Sequence, residues 1–197
     1  MLEWPAQGAA RALGVVCHPH PLFGGTLTNK VVHTLARAFV AQGAATLRFN
    51  FRGVGASAGR HDEGRGETDD LLAVVSAGRE RVPGLPLWLG GFSFGSFVAL
   101  RGQRDAGAVR LVTVAPPVGR WDFSAIEAPR CPWLVIQGDQ DELVDHREVS
   151  AWMAALAPQA RCVMLAGAEH FFHGRLHEIK DAVSAFVAEQ APQVRSV

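Results

Sequence analysis

The chain has few cysteines, and their spacing suits no cross-link. The 197 residues include three cysteines, Cys17, Cys131 and Cys162. They lie far apart in the chain, and no C-x-x-C pair occurs. A disulfide framework uses an even set of cysteines and a structural zinc site uses closely spaced ligands, so neither is indicated. Isolated thiols fit a reducing compartment, and we expect the protein to be cytoplasmic.

The sequence also lacks an excess of charge of either sign. Lysine plus arginine equals aspartate plus glutamate, at 19 each, so we expect no nucleic-acid partner. No uncharged apolar stretch is long enough to cross a membrane, and the first residues lack the basic region and apolar core of a signal peptide. We therefore expect a soluble protein without membrane insertion.

Internal repeats and low-complexity linkers are absent, and the length predicts a single domain over residues 1–197. Short apolar runs alternate with amphipathic runs along the chain. The runs predict strands over 13–17, 45–49, 85–89, 110–115, 133–137 and 161–165, and helices over 29–42, 67–79, 94–103, 146–156 and 176–189. This alternation is typical of a three-layer α/β/α sandwich with a mostly parallel sheet of about six to seven strands. Residues 191–197 are expected to be frayed.

The segment Gly91-Phe92-Ser93-Phe94-Gly95 matches the pattern G-x-S-x-G. A predicted strand precedes it and a predicted helix follows it, as a nucleophile elbow requires. The serine of such a turn has a strained backbone with positive φ, and a Cβ atom at either glycine would crowd the turn. The alternative is a glycine turn that contains a serine by chance.

Chemically useful side chains follow several other predicted strands. In parallel α/β sheets, ligands bind beyond the carboxyl ends of the strands. A carboxylate and a histidine follow Ser93 in the chain, which is the order of triad members in the α/β-hydrolase fold. The candidates for the acid are Asp139, Asp141 and Asp145, and those for the base are His170, His173 and His177.

Five motifs together resemble the α/β-hydrolase superfamily, in particular small lidless serine hydrolases related to dienelactone hydrolases. The motifs are HPHPLFGG (18–25), RFNFRGVGAS (48–57), GFSFG (91–95), GDQDELV (138–144) and GAEHFF (167–172). The chain departs from the dienelactone hydrolases proper, which have a cysteine nucleophile where this chain has Ser93. Its N-terminal region is also short. The family usually begins with extra antiparallel strands, and here only residues 2–4 and 11–13 could form them.

The resemblance implies a catalytic triad of Ser93, Asp141 and His170. His170 would take the proton of the serine, and Asp141 would orient the imidazole and stabilise its cation. Asp139 would instead bond locally within its turn. This chemistry needs no cofactor.

The resemblance also implies an oxyanion hole built from backbone N–H groups. The N–H of Phe94 would be one donor, because Ser93 lies at a helix N-terminus. The second donor would come from the loop after the first strand, with the N–H of His20 favoured and that of Leu22 as the alternative.

His18 and His20 could be interpreted as a metal pair, but no third ligand lies at suitable spacing, so we expect no metal. We expect them to form a stiff loop that shapes the oxyanion hole and packs against Asn50 or Arg52. Residues 52–57 are rich in glycine but lack a full nucleotide-binding motif, so we expect no nucleotide.

The connection after residue 115 is too short for a helical cap, since the next predicted strand begins at 133. We therefore expect an open, shallow site with apolar walls. The expected wall residues are Phe23, Phe94, Val118, Trp121, Phe123 and Phe171. Such a site suits small or extended acyl groups, and we expect a small-molecule substrate of the carboxylic ester class, with thioesters as a further class. The alternatives are an acyltransferase or peptidase with the same triad, or a non-catalytic binding protein on the same fold.

Overall fold

The computed structural model describes residues 1–189 of the chain, so the segment 191–197 lies outside the described residues. The strands are β1 (Leu2–Glu3), β2 (Ala12–Cys17), β3 (Ala44–Arg48), β4 (Leu87–Phe92), β5 (Ala108–Val114), β6 (Trp133–Gly138) and β7 (Arg161–Leu165). They form one seven-stranded sheet in the order β1-β3-β2-β4-β5-β6-β7, and only β1 pairs antiparallel with its neighbour. The expected mostly parallel sheet is confirmed.

Two buried apolar clusters cover the two faces of this sheet. The helices are α1 (Lys30–Ala41), α2 (Arg65–Arg81), α3 (Phe94–Gly102), α4 (His146–Leu156) and α5 (Leu176–Ala188). Residues of α1 and α5 pack on one face, and residues of α2, α3 and α4 pack on the other. This arrangement is the three-layer α/β/α sandwich that the sequence predicts.

Local capping chemistry decides where the helices begin. Asn29 caps α1, because its side-chain oxygen accepts hydrogen bonds from the N–H groups of Val31 at 2.9 Å and Val32 at 3.3 Å. Helix α2 begins before the expected position 67. The buried side chain of Glu67 accepts a hydrogen bond from the N–H of Gly64 at 2.8 Å. This bond stabilises the first turn, so the helix begins at Arg65.

Strand β4 differs from the predicted range 85–89 at both ends. Pro86 has no N–H to donate and precedes the first strand residue. Gly90 and Gly91 belong to the strand, because both pair with the neighbouring strands on each side. The strand therefore runs directly into the turn that the G-x-S-x-G pattern predicts.

The N-terminal region supplies one short antiparallel strand. Leu2 and Glu3 pair antiparallel with β3, as we expected for this segment. The expectation that residues 11–13 could add another antiparallel strand is wrong, because this segment enters the parallel strand β2. No helix forms in the connection 116–132, which agrees with the absence of a cap. Within residues 1–189, none of the helices has the length and apolarity needed to cross a membrane.

The two adjacent glycines of β4 provide a test of the packing behind the turn. A Cβ atom on Gly91 would lie 2.2 Å from the carbonyl oxygen of Gly95, whereas one on Gly90 would lie 3.4 Å from the ring of Phe39. We expect Gly91→Ala to lower the free energy of unfolding by about 3 kcal/mol or more, because backbone cannot yield as a side chain can. The measurement is urea unfolding followed by circular dichroism.

Gly90→Ala is the matched control for this experiment. It adds the same methyl group one residue earlier, in ordinary van der Waals contact, and we expect its unfolding midpoint to stay close to that of the wild type. Equal midpoints for the two variants would contradict the close approach described here.

Candidate active site

Ser93 occupies the sharp turn between β4 and α3. Its φ of 52° and ψ of −124° confirm the predicted strained conformation with positive φ. The flanking glycines leave no room for a side chain, because a Cβ atom on Gly95 would lie 2.4 Å from the carbonyl oxygen of Cys17. The turn therefore needs glycine at both flanking positions, as the sequence predicts.

Three side chains from separate loops meet in one hydrogen-bonded chain. The Oγ of Ser93 lies 3.0 Å from Nε2 of His170, and Nδ1 of His170 lies 2.8 Å from Oδ2 of Asp141. His170 is buried, with 2% of its surface exposed. With its Nδ1–H donated to the carboxylate, the imidazole presents the lone pair of Nε2 to the serine hydroxyl. This geometry allows proton transfer from Ser93 to His170.

Asp141 is held as a carboxylate by several donors. Its Oδ1 accepts hydrogen bonds from the N–H groups of Leu143 at 2.9 Å and Val144 at 2.8 Å, and Nε2 of Gln137 donates to Oδ2 at 3.0 Å. Burial raises the pKa of Asp141, but the hydrogen bond and charge of His170 and the two N–H groups outweigh burial, so the pKa is lowered. Asp141 is therefore ionised at neutral pH.

The other candidate acids have different partners. Asp139 accepts a hydrogen bond at 2.6 Å from the N–H of Gly167, which follows β7. The expectation of a local bond within its own turn is therefore wrong, because the parallel strands bring the two loops side by side. Asp145 caps α4 by accepting from the N–H of Arg147 at 2.8 Å.

The other candidate bases, His173 and His177, are exposed to solvent. The ring of His173 contacts the carboxylate of Glu169 rather than Ser93. His170 is the histidine that the structure brings to the serine.

The two backbone N–H groups that the sequence favours as oxyanion donors make no hydrogen bond within residues 1–189. One belongs to Phe94, at the uncapped start of α3, and the other belongs to His20. The N–H of Leu22 donates to Nδ1 of His20 at 3.1 Å, so it is already engaged. Of the two sequence-based candidates for the second oxyanion donor, only His20 has a free N–H in this structure.

His18 fixes the loop that carries His20. Its Nδ1 donates to the carbonyl of Pro19 at 2.6 Å, and its Nε2 accepts from the N–H of Phe51 at 3.0 Å. Burial lowers the pKa of His18 to about 4, so the ring is neutral with both nitrogens in use. The ring of His18 packs on Phe51, which lies between the expected Asn50 and Arg52, and further along the same connection the N–H of Leu27 donates to Oδ1 of Asn50 at 2.8 Å.

A cavity of about 420 Å³ opens beside Ser93 and His170. Its wall includes the expected Phe23, Trp121 and Phe171, and also His20, Arg120 and Leu143. Residues 94, 118 and 123 were expected in this wall, but that expectation is wrong. Phe94 is fully buried and Phe123 is nearly so. Val118 packs against the core cluster on the face of the sheet that α2, α3 and α4 cover.

Sequence reasoning missed several residues of the site. Gln137 supports Asp141, Glu142 accepts from the N–H of His170 at 3.1 Å, and Arg120 reaches the cavity from the connection between β5 and β6. Glu142 lies inside the GDQDELV motif, which was the available signal. Gln137 and Arg120 had none, because no spacing along the chain reports which side chain turns toward the cavity.

Comparison with known proteins identifies the family. A family model described as an α/β hydrolase domain matches residues 23–193. The chain is similar to XC6422 of Xanthomonas campestris, an α/β serine hydrolase without lid (42% identity, 98% of this chain and 89% of that chain, TM-score 0.91). It is equally similar to an α/β serine hydrolase homologue of Coxiella burnetii (42% identity, 95% and 90%, TM-score 0.91).

A curated relative gives the same picture of broad similarity. The uncharacterized protein RP471 of Rickettsia prowazekii is 32% identical over 185 residues, which is 89% of this chain and 78% of that protein. The relation to dienelactone hydrolases stays a prediction from the motifs. The family model and the lidless relative from Xanthomonas campestris agree with the strand–serine–helix turn and the uncapped sheet described above. The chain belongs to the α/β-hydrolase family and is a serine hydrolase.

Proposed function

We propose that this enzyme hydrolyses carboxylic esters through an acyl-enzyme on Ser93. The observation that carries the proposal is the hydrogen-bonded chain from Ser93 through His170 to Asp141, which ends beside a largely apolar cavity. A serine hydroxyl is a weak nucleophile at neutral pH and needs an adjacent base whose orientation is controlled. The contacts at 3.0 Å and 2.8 Å meet that requirement.

In the first half-reaction, Oγ of Ser93 attacks the ester carbonyl carbon while Nε2 of His170 takes the hydroxyl proton. The imidazolium that forms is stabilised by the carboxylate of Asp141, which stays ionised. The tetrahedral intermediate then collapses and the ester C–O bond breaks. His170 returns the proton to the departing alcohol, and the acyl group stays on Ser93.

In the second half-reaction, a water molecule takes the place of the alcohol. His170 accepts a proton from the water as its oxygen attacks the acyl carbon. Collapse of the second tetrahedral intermediate breaks the bond to Oγ, and the proton on His170 returns to Ser93. The products are a carboxylic acid and the free enzyme.

We assign the oxyanion hole to the N–H groups of Phe94 and His20. Both are without a hydrogen-bond acceptor among residues 1–189, and the start of α3 adds the favourable field of a helix N-terminus. Losing one such donor typically costs about 3 kcal/mol of transition-state stabilisation. The bond from the N–H of Leu22 to His20 and the anchoring of His18 support this loop shape.

Replacing the nucleophile tests the proposal directly. We expect Ser93→Ala to reduce hydrolysis of short-chain p-nitrophenyl esters by roughly a millionfold, because the acyl-enzyme cannot form. The exposed Ser150 on α4 provides the control, and Ser150→Ala should retain wild-type turnover. Release of p-nitrophenolate is the measurement.

Labelling with a fluorophosphonate probe separates an enzyme from a binding protein on the same fold. The wild type and Ser150→Ala should be labelled, and Ser93→Ala should not. Equal turnover in all three proteins, or a wild type that resists the probe, would refute the proposal. Running the assay with thioesters, amides and added alcohols distinguishes hydrolysis of esters from peptide cleavage and acyl transfer.

Asp141 can be tested with a substitution that keeps its shape. We expect Asp141→Asn to lower kcat about 10⁴-fold, because an amide favours the wrong tautomer of His170 and cannot stabilise the imidazolium. Asp145→Asn is the matched control, since asparagine caps a helix as well as aspartate does. A comparable loss in both variants would argue against the role assigned to Asp141.

A further inference from the structure

Arg120 is the permanently charged side chain in the cavity wall beside Ser93. The other ionisable residues of the wall are His20 and His170, and no aspartate or glutamate among the described residues contributes to it. Nδ1 of His20 accepts a hydrogen bond, and burial together with neighbouring His61 lowers the pKa of His20, so its ring is neutral. The cavity therefore presents one cation among mostly apolar groups.

The exposed side chain of Arg120 lines the cavity and is fixed beside it by one hydrogen bond. Its Nε donates to the carbonyl oxygen of Leu143 at 2.6 Å, and the N–H of Leu143 donates to Asp141. The side chain thus links the connection between β5 and β6 to the loop that carries the proposed catalytic acid. This link restricts the motion of the guanidinium relative to Ser93.

The remaining N–H groups of Arg120 have no acceptor within residues 1–189. No carboxylate of the described chain lies within salt-bridge distance of Arg120. The two carboxylates of the neighbouring loop have other partners, since Asp141 contacts His170 and Glu142 accepts the N–H of His170. A guanidinium keeps its charge at all physiological pH values and can bind a carboxylate through two parallel hydrogen bonds.

We propose that Arg120 selects esters that carry a carboxylate, so that the preferred substrate of this enzyme is a monoanionic ester with an apolar portion. The apolar portion would contact Phe23, Trp121 and Phe171, and the carboxylate would bind the free side of the guanidinium. Arg120 is exposed, so water and salt screen such an ion pair, and its expected effect on kcat/KM is correspondingly modest. The inference rests on the proposed ester hydrolysis at Ser93 and names the substrate class for that site.

The test uses pairs of substrates whose main difference is one negative charge. p-Nitrophenyl hydrogen adipate and p-nitrophenyl hexanoate have acyl groups of equal carbon number, and only the adipate ends in a carboxylate. 4-Acetoxybenzoate and its methyl ester place the same charge difference on the alcohol side. The measurement is kcat/KM for each ester, after subtraction of spontaneous hydrolysis, and it is repeated with Arg120→Gln.

We expect Arg120→Gln to lower kcat/KM about tenfold for the anionic member of at least one pair, as loss of a charged hydrogen bond does. Glutamine retains an N–H that can reach the carbonyl of Leu143, so the neutral esters should change less than about twofold. Raising the ionic strength to about 0.5 M should weaken the preference of the wild type for the anionic ester. The pair that responds reveals which side of the ester bears the carboxylate.

Arg81→Gln is the matched control for loss of one positive charge. Arg81 is exposed at the end of α2, and that helix ends where the chain turns back to enter the amino end of β4, away from Ser93. This variant should keep the charge preference of the wild type. If Arg120→Gln changes neutral and anionic esters equally, or if no anionic ester is preferred, the role of Arg120 is refuted while ester hydrolysis stands. If no ester is hydrolysed in a Ser93-dependent manner, the proposed function itself fails.

Discussion

The backbone conformation of Ser93 is the constraint on which the rest of the site depends. A non-glycine residue with a φ of 52° is strained, and it persists only where the surroundings hold it. Here the surroundings are backbone atoms: Gly91 faces Gly95, and Gly95 faces the carbonyl of Cys17 at the end of β2. The same contacts that allow the turn also bring the loop after β2, with the N–H of His20, against the start of α3, with the N–H of Phe94; neither N–H has an acceptor within residues 1–189.

Buried polar contacts hold the loops in place around this turn, and no lid contributes. His18 connects its own loop to Phe51 by a hydrogen bond of 3.0 Å, and Gln137 connects β6 to Asp141 by another. The first contact joins the loops after β2 and β3, and the second fixes the loop after β6 to its own strand. Because these hydrogen bonds are shielded from water, they hold the loops firmly while the cavity remains open to solvent. The positive charge of Arg120 in the wall of that cavity is the feature that we propose determines substrate selectivity.

The sequence predicted correctly the features that depend on a short local pattern, and it predicted incompletely those that depend on residues distant in the chain. The G-x-S-x-G turn was predicted because its pattern is short and lies between a predicted strand and a predicted helix, although the room at Gly95 is required by the distant carbonyl of Cys17. The choice of Asp141 and His170 needed the family resemblance, because spacing alone left three aspartates and three histidines as candidates. Half of the predicted residues of the cavity wall were wrong, and two of them, Phe94 and Phe123, are buried in the core. Apolar spacing does not distinguish a core residue from a pocket residue.

The alternation of apolar and amphipathic runs determined by itself the α/β class and the order of strands and helices along the chain, and the G-x-S-x-G pattern determined the position of the turn around Ser93. These features depend on contacts between residues close in sequence. Only the tertiary structure decided which N–H group near the serine is free, which partner Asp139 has, and that Arg120 faces the cavity. Those outcomes depend on the meeting of loops that follow different parallel strands, and the sheet brings such loops together across long stretches of chain.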